Sequence, residues 1–102
     1  MNKYTELSDF EINKKVAERL FLKFTNNWSV ILVDGESFDP CNNPSDAMPI
    51  VFESGISLIS DWNEVGVWGA TNQPWYSSEN KNPLRAAMEV YLMIKDAENE
   101  KV

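Results

Sequence analysis

Apolar positions in the first quarter of the chain recur at helical spacing: Ile12, Val16, Ala17, Leu20, Phe21 and Phe24 line one face, while Lys14, Lys15, Glu18 and Lys23 fall largely on the other. The run Ser8-Asp-Phe-Glu11 is a capping box. Ser8 can accept from the Glu11 N–H, Glu11 can reach back to Ser8, and Leu7 and Ile12 stand at the staple positions, so a helix is predicted to start at Asp9 and to cover a sheet. The period then changes. Trp28 to Val33 is continuously β-prone and apolar and ends at the turn pair Asp34-Gly35, which predicts a strand covered on both faces. Glu36 to Asn43, with Asp39-Pro40 and two adjacent asparagines, reads as an ordered loop.

Two Asn-Pro pairs organise the remainder. Asn43-Pro44 opens one apolar run and Asn82-Pro83 another, each leaving free N–H groups and the positive end of a helix dipole beside a polar loop. Pro49 would stand at the sixth position of a helix begun at Pro44, where its missing N–H matters. The pattern therefore favours Asp46 as the cap, with a short helix from Ala47 to about Ser54 stopped by Gly55 in the left-handed conformation. A hairpin of Ile50 to Glu53 with Ile56 to Ile59 is the rival. Ile56 to Ser60 reads as a strand, Asp61 to Glu64 as a turn, and Val65 to Thr71 as the antiparallel partner. The two glycines of that partner point to a bulge or a close approach of backbone. Asn72 to Asn82 reads as a polar loop carrying Trp75 and Tyr76.

The last helix is predicted from Pro83 to about Ala97, with a frayed tail beyond. It is apolar almost all the way round, and only Arg85, Glu89 and Asp96 form a polar strip. Such a helix must be central, which predicts burial against the sheet and at a homo-oligomer interface. The expected fold is α+β, one domain over 1–102, in the order α-β-α-β-β-α, with a small antiparallel or mixed sheet.

Composition narrows the chemistry. The chain has 102 residues, 43% of them apolar, and a formal net charge of −7, which opposes binding to nucleic acid or to an anionic membrane. A single cysteine, Cys41, rules out an internal disulfide, and no run approaches the length of a membrane span, so a reducing cytoplasm is expected. With no histidine, the Ser-His-Asp and Cys-His systems are unavailable and the commonest zinc ligand is missing; no cofactor and no metal are expected. Cys41 has no base in the sequence to assist it. Asp39 and Asp46 would be the carboxylates of an enzyme, but nothing orders them into one.

Three blocks, Leu7-Ser-Asp-Phe-Glu-Ile-Asn-Lys14, Phe38-Asp-Pro-Cys-Asn-Asn-Pro-Ser-Asp-Ala-Met-Pro-Ile50 and Asn82-Pro-Leu-Arg-Ala-Ala-Met88, resemble small phage accessory proteins of the NinX type. Met48 stands where that family more often carries Trp. The resemblance implies a phage origin, action in the cytoplasm of the bacterial host and no defined chemistry. Among proteins of that kind, a non-enzymatic role against host defence is the leading expectation: binding and sequestering a nucleotide-derived signal of the cyclic ADP-ribose or cyclic dinucleotide type. Trp75 and Tyr76 would stack on a base, Arg85 would meet a phosphate at a helix start, and Asn42, Asn43, Asp46 and Asn82 would bond base or ribose edges, with Trp68 nearby.

Each of these has a plainer reading. Arg85 can pair with Glu89 one turn on, Asx residues in turns bond their own backbone, and Trp28 and Trp68 suit a core. The alternative function is inhibition or redirection of a host protein through an acidic surface with Trp62 and Trp75 as exposed anchors.

Overall fold

The computed structural model describes residues 2–72 and 76–100. Helix α1, Asp9–Arg19, begins where the capping box places it. The Glu11 N–H donates to Ser8 Oγ at 3.1 Å and the Ser8 N–H to Glu11 Oε1 at 3.0 Å. It buries Ile12, Asn13, Val16 and Ala17, then stops five residues short of Phe24 because Phe21 turns left-handed at φ 58°. The Phe21 N–H reaches Glu18 O and the Leu22 N–H reaches Ala17 O, a Schellman closure made without glycine. Phe21 is consequently 91% exposed, not part of the core stripe.

The expected single strand from Trp28 is instead a hairpin. β1, Thr25–Asn27, pairs antiparallel with β2, Val30–Val33, and the chain reverses at Trp28, whose φ is 60°. Trp28 is therefore 94% exposed and not in the core, because a tight turn leaves its indole nothing to pack on. Asp34 and Gly35, at φ 53° and 80°, make the next turn with the twist that hairpins prefer, and lead to β3, Glu36–Ser37, where a loop was expected. Among these strands only Ile31 is buried, so this sheet is covered on one side at most and rests mainly on α1 through β2.

Helix α2, Pro44–Ser54, settles the choice between helix and hairpin, and its cap is Asn43 rather than Asp46. Asn43 Oδ1 accepts from the Ser45 N–H at 3.0 Å, and Pro44 takes the first helical position. Asp46 is free to turn back and accept the Asp39 N–H at 2.9 Å, so both residues satisfy orphan donors. Pro49 is left inside the helix and forgoes one bond to Ser45 O. Both residues are exposed, which softens the penalty. Gly55, φ 66°, ends the helix as expected.

The second sheet is β4, Ser57–Ile59, β5, Trp68–Asn72, and β6, Tyr76–Asn80, all antiparallel and in that order. β6 lies in the segment expected as a loop; it pairs with β5 from Asn72↔Tyr76 to Trp68↔Asn80. The glycine of β5 has a clear purpose. A Cβ on Gly69 would stand 2.3 Å from the Trp62 ring, so it is an indole, not another backbone, that needs the space. Trp62 is thereby half-buried and cannot serve as an exposed anchor.

Helix α3, Pro83–Glu100, continues into the segment 98–102 expected to fray, whose last two residues lie outside the described ones, and forms the centre of the domain, packed on α1, α2, β5 and β6. Ala86, Ala87, Met88, Val90, Tyr91 and Leu92 are all buried within one chain, while Leu84, Met93 and Ile94 of the same apolar girth are half-buried. The class is α+β, with three helices and two small antiparallel sheets; the order α-β-β-β-α-β-β-β-α has three more strands than expected. Among the described residues no helix is long and apolar enough to cross a membrane.

Candidate functional site

The two Asn-Pro helix starts meet. Asn82 caps α3 through Oδ1, which accepts the Leu84 N–H at 3.0 Å, while its amide donates to Cys41 O at 2.6 Å and to Asn42 Oδ1 at 3.1 Å. Asn42 in turn donates to Asp9 Oδ2 at 3.2 Å and to Asp39. Asn13 donates to Asp39 Oδ1 at 2.7 Å and accepts the Cys41 N–H, which closes a ring of amides and carboxylates around the start of α1. Asn43 caps the adjacent α2 and Asp46, in its first turn, accepts the Asp39 N–H, so the asparagines and Asp46 are brought together as expected, but as partners of one another and of backbone. Beside them a hollow of about 340 Å³ lies between Phe10, Phe38, Asp39 and Asn42.

Arg85 takes the structural course. It is 6% exposed, and its Nε donates to Glu89 Oε2 at 2.7 Å, Nη1 to Asp9 Oδ1 at 2.7 Å, and Nη2 to the carbonyls of Tyr4 at 2.9 Å and Leu7 at 2.7 Å. Burial works against its charge, but the bonds from Asp9 and Glu89 outweigh it and push the guanidinium pKa up. The free cation expected at this helix start is therefore spent on the N-terminal segment. Glu89 is as buried as its partner and also accepts from Asn2 and Ser78. Further along α3, Asp96 accepts from Tyr4 and from Arg19 Nη2 at 2.6 Å, with Lys3 at 3.2 Å. Burial tends to raise the Asp96 pKa, yet the bonds from Tyr4 and Lys3 and the charges of Lys3 and Arg19 hold it below its usual value.

The aromatic candidates scatter. Tyr76 opens β6, half-buried beside Tyr4 and Met93, and four residues of strand, about 13 Å, separate it from Asn80 and the start of α3. Trp68 stands at that nearer end, opposite Asn80, and is half-buried. Trp75 lies outside the described residues. Cys41 is fully buried, and desolvation with the charge of Asp9 pushes its thiol pKa well up, so at neutral pH it is a thiol packed in the core.

Two features escaped the sequence reading. Trp28 at the hairpin tip had a signal in its neighbours, since Asn26-Asn27 before it and Ser29 after it are turn formers. The other is a cavity of about 530 Å³ between α2 and α3, lined by Asp46, Glu53, Tyr91 and Glu98 among others. Those residues lie at i, i+7 spacing on two separate helices, and nothing in a single sequence brings two such faces together.

No curated protein and no solved structure matches the chain. The family described as Bacteriophage P22, NinX does match, over residues 3–95. That span includes both helix starts, the Arg85 cluster and the Trp28 hairpin, and the chain accordingly belongs to the NinX family of phage proteins.

Proposed function

We propose that this phage protein acts without catalysis, in the host cytoplasm, by docking on a basic face of a host protein through the Trp28 turn. The observation that carries this reading is the state of Trp28, 94% exposed at φ 60°. A left-handed tryptophan costs about 1 kcal/mol, and an indole left in water forgoes roughly 2 to 3 kcal/mol of burial. Folding of the chain alone recovers neither. A partner's pocket would recover the second, and tryptophan is prominent among residues that dominate binding energy. Val30, 40% exposed on the adjoining strand, extends the apolar tip. A net charge of −7 favours a basic partner and speeds encounter with it.

Sequestration of a nucleotide-derived signal draws less support. It needs a free cation at the Asn82 helix start, where Arg85 is already held by two carboxylates and two carbonyls. The larger cavity is lined by carboxylates, which repel phosphate.

The test is capture from host lysate with the wild-type chain and with Trp28→Ala, read by native mass spectrometry and by thermal melting. The expected result is a stoichiometric host protein held by the wild type and lost by the variant, with the melting temperature of the variant unchanged or slightly raised. Equal capture by both chains overturns the Trp28 reading. A retained mass of nucleotide size, with no protein captured, returns the argument to sequestration.

A further inference from the structure

We infer that the cavity between α2 and α3 is a binding site for a linear alkyl polyamine. It is built from one face of each helix. Asp46 and Glu53 stand seven residues apart on α2, about 10 Å along its axis, and Tyr91 and Glu98 stand at the same spacing on α3. Pro49, Ile50 and Ile94 supply apolar lining between the charges. A chain of methylenes with ammonium groups at each end and one between has this length and this alternation of character.

The site already holds one alkylammonium. Lys95 Nζ lies 3.2 Å from Glu98 Oε1 and 5.6 Å from the centroid of the Tyr91 ring, so a carboxylate and an aromatic face here do bind a protonated amine. Glu53 has no such partner among the described residues, and Asp46 accepts only the Asp39 N–H. The carboxyl end of α2 adds its negative dipole, and the amide of Asn72 donates to its last carbonyl at 2.7 Å.

The second observation is the Tyr91 hydroxyl. Tyr91 is only 3% exposed, and its hydroxyl makes no hydrogen bond among the described residues. The residue lines the cavity, and no occluded side-chain nitrogen or oxygen among the described residues lacks a partner, so this oxygen keeps access to solvent. An ammonium seated between Glu53 and Tyr91 would donate to both. Burial raises the Tyr91 pKa, the charges of Glu98 and Glu53 raise it further, and Arg19 opposes them.

The experiment is an amide NMR titration of the intact protein with spermidine, with butylamine and sodium chloride as comparators at matched ionic strength. Saturable shifts confined to 46–54 and 91–98, at least tenfold tighter for spermidine than for butylamine, are expected. Tyr91→Phe should weaken binding about fivefold and leave the melting temperature unchanged, because the hydroxyl has no partner in the protein. Glu53→Gln should weaken it to a similar extent, whereas Glu36→Gln on β3 should not. Shifts spread over the whole acidic surface, equal loss from Glu36→Gln, or unchanged affinity in Tyr91→Phe would each overturn the assignment.

Discussion

Arg85 carries more of the structure than any other polar residue, since four of its N–H groups tie the first turn of α3 to Asp9, Glu89 and two carbonyls of the N-terminal segment. Removing it strands two carboxylates, one of them fully buried, and orphans both carbonyls. Arg85→Met is expected to cost about 3 to 5 kcal/mol in urea unfolding, and Arg85→Lys to recover only part of it, because an ammonium cannot span the fork. Loss of less than about 1 kcal/mol in Arg85→Met would show the cluster to be incidental. The i, i+4 pairing with Glu89 was legible in the sequence. Its outcome was not, since a pair at this spacing on the surface is worth a few tenths of a kcal/mol and only burial by residues 2–9 makes it decisive.

At the scale of the elements, capping chemistry proved the most readable signal. Ser8 with Glu11, Asn82 with Pro83, and Gly55 mark their helix ends as the sequence predicts, because each satisfies orphan backbone groups within a few residues of itself. Ser8→Ala is expected to destabilise by about 1 kcal/mol, measured by chemical denaturation, with Ser8→Thr close to neutral. The same logic misplaced the α2 cap. Asp46 is a good capping residue by type, but its carboxylate has a better use on the Asp39 N–H, and Asn43 directly precedes Pro44, the first helical residue. The strands were harder for a related reason. β3 and β6 are polar segments of two and five residues whose order comes from pairing with β2 and β5, not from their own side chains. Trp28 was misread because its place in an apolar run outweighed the asparagines before it.

Across the whole molecule, the polar strip of α3 binds the N-terminal segment to the core and makes stability depend on acid. Asp96 has a depressed pKa in the folded state, so its contribution is complete above the unfolded carboxylate value near 3.8 and is lost as pH falls through the lower, folded value. Thermal melts between pH 7 and pH 3 should therefore show a steeper acid-side fall for the wild type than for Asp96→Asn, which should be about 1 to 2 kcal/mol less stable at neutral pH. Identical slopes for the two chains would remove Asp96 from the account.

The sequence by itself determined the starts of α1 and α3, the left-handed stop at Gly55, the antiparallel pairing of β4 with β5 and the α+β class, because each depends on bonds or periodicity that span a few residues. It also carried the family, through three ordered blocks. Tertiary structure alone decided that Arg85 faces inward, that the asparagines of both helix starts satisfy one another, that residues 85–92 of α3 are buried, and that Tyr91, Glu53 and Glu98 share a cavity. These depend on which faces of distant segments meet, and that is set by the packing of the whole chain around α3.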